Sequence, residues 1–198
     1  MSIWIKRGAE DCPRALWSGG ATTQLAIGPE GAQYEARDFL WRVSSATVEL
    51  EESVFTPLPD YERLSTPLRG EMSLFHSGGE PLLLRPYQVH RFSGGSETRS
   101  RGRCTDFNLM LRRGAAEGEM AALVLGDESR RLTASDGETL LLYCAEGACR
   151  IVSDAQQAEL RQGESLQLSG CAALRVRALE PSGAAVMLCR IRLRGQRT

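Results

Sequence analysis

The chain has 198 residues, of which 42% are hydrophobic and 25% charged, with a formal net charge of −1. That is enough to bury a core in one large or two small domains, and it excludes disordered, collagenous and nucleic-acid-coating classes. The basic residues are 23 Arg and one Lys, Lys6, a bias better explained by a GC-rich bacterial genome than by selection for phosphate binding. The N-terminus reaches charge at Lys6 and Glu10 without an apolar core, so it does not read as a secretory signal. No apolar stretch approaches the ~18 to 20 residues of a membrane span. A soluble, cytoplasmic protein with no membrane or nucleic-acid partner is expected.

Alternation with period 2 dominates from end to end. In chain order it predicts strands over residues 23–27, 39–50, 72–76, 107–111, 139–145, 150–153, 165–169, 174–177 and 187–193. Turn signals separate them, among them Gly28-Pro29, Pro57 to Pro59, Gly78-Gly79, Gly94-Gly95, Asp136-Gly137 and Gly170. The best helical stretch, 115–125, is broken by Gly118 and closed by Gly126, leaving too few residues for a stable helix. The expectation is an all-β fold, sandwich or barrel.

A 77-residue offset superimposes Gly70 on Gly147, Pro86 on Gly163, and Met110-Leu111-x-Arg113 on Met187-Leu188-x-Arg190. The rhythm of strand, glycine turn, strand and Leu-rich run is that of a cupin. It predicts a bicupin of two β-barrel or jelly-roll modules in one chain, residues 1–113 and 114–198. The six cysteines contain no C-x-x-C pair and read mostly as buried, reduced thiols, Cys104, Cys171 and Cys189 in particular. Cys144 and Cys149 flank a glycine turn, where a disulfide is the alternative to two free thiols.

Metal chemistry has little material: the two histidines, His76 and His90, form no H-x-H pair, and a two-His-one-carboxylate site would need both plus an acid such as Glu71 or Asp106. The plainer reading puts His76 in an exposed turn and His90 at the start of a strand. No nucleophile elbow occurs, and the adjacent carboxylates Glu10-Asp11 and Glu51-Glu52 read as solvated. No catalytic residue and no cofactor are assigned. The informative residues are polar ones within otherwise apolar strands. Alternation puts Arg42, Ser44 and Ala46 on one face of their strand, and Asp106, Asn108 and Met110 on one face of theirs. If Arg42, Arg63 and Asn108 face a lumen, they make a donor-rich pocket for a carboxylate. The alternative pairs Arg42 with Asp106, or Arg63 with Asp60, as structural ion pairs.

At these residues the sequence resembles the HutD/Ves family of bacterial bicupin-like proteins. The matching blocks are Trp17-Ser18-Gly19-Gly20-x-Thr22-Thr23-Gln24-Leu25, Phe39-x-Trp41-Arg42-Val43-Ser44-x-Ala46, Phe55-x-x-Leu58-Pro59-x-Tyr61-x-Arg63, Phe92-Ser93-Gly94-Gly95 and Asp106-Phe107-Asn108-Leu109-Met110-x-x-Arg113. Ser18 stands where many members carry Asn, and Gly95 where Asp is common. The resemblance implies a bicupin fold and an association with histidine utilisation, where a regulatory role and binding of an intermediate such as N-formylglutamate have been proposed without an established enzymatic activity. The expected ligand-binding set is Trp17, Gly19, Gly20, Thr22, Thr23, Arg42, Ser44, Arg63, Asp106 and Asn108, with the two glycines at the rim of the pocket.

Three functions compete. The first is metal-free binding of a small carboxylate in a regulatory role. The second is a metal-dependent cupin isomerase or dioxygenase using His76 and His90. In the third, the Arg-alternating C-terminal strands (Arg175, Arg177; Arg190 to Arg194) pair with an acidic partner or with a second copy in a homodimer, against a plain reading as a solvated sheet face.

Overall fold

The computed structural model describes residues 2–77, 79–170 and 173–195, and no α-helix occurs among them. Eighteen strands follow in order: β1 (Ile3–Arg7), β2 (Arg14–Trp17), β3 (Gly20–Gly28), β4 (Trp41–Val48), β5 (Glu52–Val54), β6 (Tyr61–Gly70), β7 (Met72–His76), β8 (Leu82–Leu84), β9 (His90–Ser93), β10 (Thr98–Arg101), β11 (Cys104–Arg112), β12 (Ala116–Leu125), β13 (Arg130–Thr133), β14 (Glu138–Val152), β15 (Gln157–Arg161), β16 (Ser165–Ser169), β17 (Ala173–Ala178) and β18 (Ala184–Leu193). Among the described residues a single 3-10 turn occurs, Ala9–Asp11.

The chain divides into two compact units, Cys12–Glu117 and the combination of Met1–Asp11 with Gly118–Thr198. The N-terminal residues therefore fall outside the expected 1–113 module. The reason is pairing: β1 runs antiparallel to β16, with Ile3 opposite Ser169 and Arg7 opposite Ser165.

In the Cys12–Glu117 unit a six-stranded sheet, β2-β3-β4-β11-β6-β9, accompanies a four-stranded one, β5-β10-β7-β8. Its buried residues gather around Met72, Leu74 and Phe92 and, separately, around Phe39, Leu58 and Tyr61. The other unit is one eight-stranded sheet whose path β1-β16-β14-β17-β13 is extended by β15 and β18 on β14 and by β12 on β18. Its core is Leu-rich, with Leu140, Leu142, Leu166, Leu168 and Leu188 all buried. The sheets are open rather than closed into the expected barrels, and the four-stranded one is edged by β5 and β8, each only three residues long.

Strand β6 has no counterpart among the predicted strands. Its polar run and Pro67 break the alternation, and proline is tolerated because it lies beside a bulge: β11 pairs Thr105 with Arg69 but Asp106 with Pro67, skipping Leu68. The same irregularity recurs 77 residues on, where β18 pairs Ala185 with Glu146 but Val186 with Cys144, skipping Ala145. Both bulges sit beside a glycine at positive φ, Gly70 at 75° and Gly147 at 69°. A Cβ at either would come within 2.5 Å of a carbonyl oxygen, that of Arg103 or Gly183. The sequence offset is thus a repeated structural device, but its third match is out of register. Met110 faces Arg63, whereas the position facing Leu140, 77 residues after Arg63, is Arg190 and not Met187.

Cys104, Cys144, Cys149 and Cys189 are free and buried, whereas Cys171 lies outside the described residues. Burial, helped by Asp106, pushes the Cys104 thiol up to about 12, and burial alone raises that of Cys189. These two thiols are expected to resist alkylation in the native protein and to react promptly in denaturant, as read by peptide mass spectrometry. Gly70→Ala and Gly147→Ala are each expected to lower stability by about 1–3 kcal/mol in urea unfolding, since both force a side chain into the left-handed region.

Candidate functional site

The inner face of the six-stranded sheet presents polar residues in rows, because strands in register stack alternate side chains across the ladder. Arg42, Met110 and Arg63 lie opposite one another on β4, β11 and β6, and Ser44, Asn108 and Ser65 form the next row. Asp106 follows, opposite Ala46. A cavity of about 480 Å³ opens over these rows, within the usual range for small-molecule pockets. Its apolar walls include Phe55, Val48 and Met110, and Trp17 and Val54, both partly solvent-exposed, lie along it.

The segment between β3 and β4 closes one side. The Tyr61 hydroxyl donates to the carbonyls of Arg37 and Phe39, each at 2.9 Å, and the Phe39 and Tyr61 rings stack at 4.3 Å. That anchor fixes Tyr34, whose ring carries the Arg42 guanidinium at 4.4 Å. Arg42 Nε donates to Gln24 Oε1 at 2.8 Å and Nη1 to Ser44 Oγ at 3.1 Å. Arg63 packs over the Phe55 ring at 4.6 Å and the Phe92 ring at 5.6 Å.

Neither guanidinium has a carboxylate within 4.0 Å among the described residues. The expected alternatives, Arg42 with Asp106 and Arg63 with Asp60, are therefore not formed. Desolvation lowers the pKa of Arg42, and brings that of Arg63 to about 10 against the opposing pull of Asp106 and Tyr34. Both stay charged at neutral pH. Burial raises the Asp106 carboxyl above its ordinary range, opposed by a hydrogen bond from Ser65, by Arg63 and by the neighbouring Asn108 amide. The cavity is cationic whichever state Asp106 adopts. Arg63 Nε and both polar atoms of the Asn108 amide are buried without a hydrogen-bond partner.

Seven of the ten expected residues line this cavity: Trp17, Thr22, Arg42, Ser44, Arg63, Asp106 and Asn108. The rest do not. Thr23 alternates to the other face of β3 from Thr22. Gly20 approaches the Thr47 carbonyl so closely that any side chain would collide, which makes it a packing residue of the sheet rather than a rim. Gly19 lies beneath the Trp17 ring. Sequence reasoning missed Gln24, Tyr34 and Phe55 as lining residues. Gln24 lay inside a matched block and Phe55 opened one, but Tyr34 sits in a segment without periodicity.

His76 and His90 meet elsewhere in the same unit, with Nε2 to Nε2 at 3.1 Å. His76 is not in the loose turn the sequence suggested but at the end of β7, its Nδ1 3.0 Å from Thr98 Oγ1. Among the described residues no third His, Cys, Asp or Glu joins them, so the ligand set of a two-His-one-carboxylate enzyme is not assembled there.

Fold and cavity together define an all-β, cupin-like protein with a cationic pocket on one sheet. The sequence profile of the HutD family matches residues 9–186, and the chain belongs to that family. Among solved structures, it is similar to a conserved protein of unknown function from Pseudomonas aeruginosa PAO1, with a TM-score of 0.83 and 28% identity over 96% of this chain and 99% of that one. It is similar to HutD from Pseudomonas fluorescens SBW25, described as a formate condition, with a TM-score of 0.80 and 24% identity over 98% and 100% of the two chains. The fold is shared with the bacterial pirin YhhW of Escherichia coli in complex with nickel(II), at 12% identity, a TM-score of 0.71 and coverage of 95% and 98%. A comparison with curated protein sequences finds no match.

The raised carboxyl of Asp106 sets a pH signature. A folded-state pKa above the unfolded value means the native state holds the proton longer, so this group's contribution is complete below the ordinary carboxylate pKa of about 3.9 and is lost as pH rises through the native value. Asp106→Asn removes that loss. The stability of the variant relative to the natural protein is expected to rise with pH across this window in urea titrations, and a flat difference would contradict the assignment.

Proposed function

We propose that the cavity binds a small carboxylate that also carries an amide, with N-formylglutamate or another histidine-pathway intermediate as the identity to test first. The observation that carries this reading is the unfilled hydrogen-bonding capacity at Arg63 Nε and at both atoms of the Asn108 amide. Buried polar atoms left without partners cost about 1–3 kcal/mol each, and a ligand that satisfies them recovers that cost. Asn108 asks for an acceptor and a donor side by side, which an amide supplies. Arg42 and Arg63 ask for negative charge, which a carboxylate supplies through charge-assisted hydrogen bonds.

Membership of the HutD family supports a regulatory role in histidine utilisation, in which the cytoplasmic protein reports the level of an intermediate. The repeated bulge and glycine support a bicupin architecture in which the second module keeps the frame and places apolar side chains at the matching positions. Where the first module has Arg63, Ser65, Asp106 and Asn108, the matching register positions of the second are Leu140, Leu142, Val186 and Leu188.

Calorimetric titration with N-formylglutamate, glutamate and formate tests the reading. Arg42→Ala or Arg63→Ala, checked for folding by circular dichroism, is expected to weaken the bound carboxylate about ten- to a hundredfold, consistent with one charge-assisted contact of ~1.5–3 kcal/mol. Asn108→Ala is expected to cost less. Unchanged affinity in a folded Arg63→Ala variant would overturn the assignment. In a thermal-shift screen, a true ligand at 100 times its Kd is expected to add about 2.7 kcal/mol of stability.

A further inference from the structure

We propose that the outer face of the ladder β13-β17-β14-β15 is a docking surface for an acidic partner, an extended peptide segment with carboxylates at alternate positions. Register sets the face. Arg131 on β13 lies directly opposite Arg175 on β17, and Arg177 on β17 lies directly opposite Arg150 on β14. Arg175 and Arg177 are two residues apart on one strand, so all four side chains leave the sheet on the same side. The other side holds the buried Leu132, Ile151, Leu160, Leu174 and Val176. That leaves the arginine side to solvent: Arg131, Arg175 and Arg177 are exposed and Arg150 is half-buried. Arg161, opposite Ala148, extends the same face.

Two directly opposed arginine pairs are an arrangement that folding alone disfavours, since like charges facing each other across a ladder destabilise it. The paired positions of this face carry one acid, Glu159, and it is bonded to Arg150. Arg131, Arg175 and Arg177 have no carboxylate within 4.0 Å among the described residues. Elsewhere the same unit does neutralise adjacent arginines, as Arg190 and Arg192 share Glu138.

The occupant follows from spacing and composition. Residues two apart on a strand are separated by about 6.4–6.8 Å, and so are alternate residues of any extended chain. A segment laid along β17 with acids at alternate positions sets one carboxylate between Arg131 and Arg175 and the next between Arg177 and Arg150. Each repelling pair then becomes a two-pronged clamp on an anion. Composition argues against other polyanions. The chain carries 24 basic and 25 acidic residues, so no net field draws in nucleic acid. The remaining paired positions of the face, Thr133, Ala148, Val152, Gln157 and Ala173, supply no aromatic ring to stack on a base or anchor in lipid.

Fluorescence anisotropy of the full chain with a short fluorescein-labelled peptide of alternating serine and glutamate tests the surface. Saturable binding is expected at low salt, weakened about tenfold between roughly 0.01 and 0.1 M as the Debye length falls from about 30 to about 10 Å. Arg175→Gln/Arg177→Gln is expected to weaken it about 3- to 30-fold, as two exposed ion pairs contribute. Its melting temperature is expected to hold or rise, because repulsion across the ladder is relieved. Should that variant fail to fold, Arg131→Gln/Arg177→Gln, which takes one arginine from each pair, replaces it. The face shares no residue with the carboxylate cavity, so carboxylate affinity there is expected to be unchanged in either variant, and the two readings fail separately. No saturable binding of the peptide by the natural protein, or unchanged binding by the folded double variant, would overturn the surface. So would equal binding of a peptide with the same glutamates in one block, or tighter binding of a thymidine oligonucleotide or of phosphatidylserine vesicles.

Discussion

Two guanidinium groups buried against one sheet without a carboxylate to neutralise them are the constraint around which the N-terminal unit is built. Taking a charge out of water costs several kcal/mol unless it is paired. Arg42 and Arg63 instead find neutral polar atoms and aromatic faces: Gln24, Ser44 and Tyr34 around Arg42, Phe55 and Phe92 around Arg63. Such contacts contribute roughly 0.5–2 kcal/mol each. They hold the cations in place but leave both without an ion-pair partner, and an anion entering the cavity completes what the protein leaves open.

The other unit shows that the fold does not require this arrangement. It repeats the bulge, the positive-φ glycine and the strand pairing, yet fills the corresponding positions with Leu140, Leu142, Val186 and Leu188. It also treats its own buried acid differently. Glu138 is held by Arg190 at 3.0 Å and Arg192 at 3.7 Å. A frame that can be packed with leucine, and a buried carboxylate that is paired, make the unpaired arginines of the first unit a departure from what stability alone favours. Such departures mark sites rather than scaffolds.

Much of this was legible in the sequence because alternation reports which face of a strand is buried. Arg42 with Ser44, and Asp106 with Asn108, were assigned to common faces by period 2 alone, and both faces turn toward the cavity. Strand β6 was hidden by Pro67, whose compatibility with a central strand depends on a bulge that no local pattern announces. Tyr34 was hidden because its place over Arg42 is set by the Tyr61 anchor, a contact between residues far apart in sequence. Gly19 and Gly20 were misread for a related reason. A glycine pair signals close approach without saying to what, and here the partners are the Trp17 ring and the Thr47 carbonyl. His76 and His90 were set together in the sequence only by the metal alternative, and they meet although β7 and β9 belong to different sheets.

Asp106 completes the electrostatic logic of the pocket. Were it fully ionised and bonded to Arg63, the pair would neutralise itself and weaken the attraction for an anion. Burial disfavours that state, and the hydrogen bond from Ser65 keeps the carboxyl oriented without adding positive charge. A carboxyl held back from ionising, close to Arg63, lets the cavity keep its charge for a ligand while retaining an oxygen that can accept or, when protonated, donate a hydrogen bond. The walls then sort among anions. Phe55, Val48 and Met110 offer apolar surface, which favours an organic acid with a methylene chain over a compact inorganic ion, because only the former buries hydrocarbon while its charge is met by arginine.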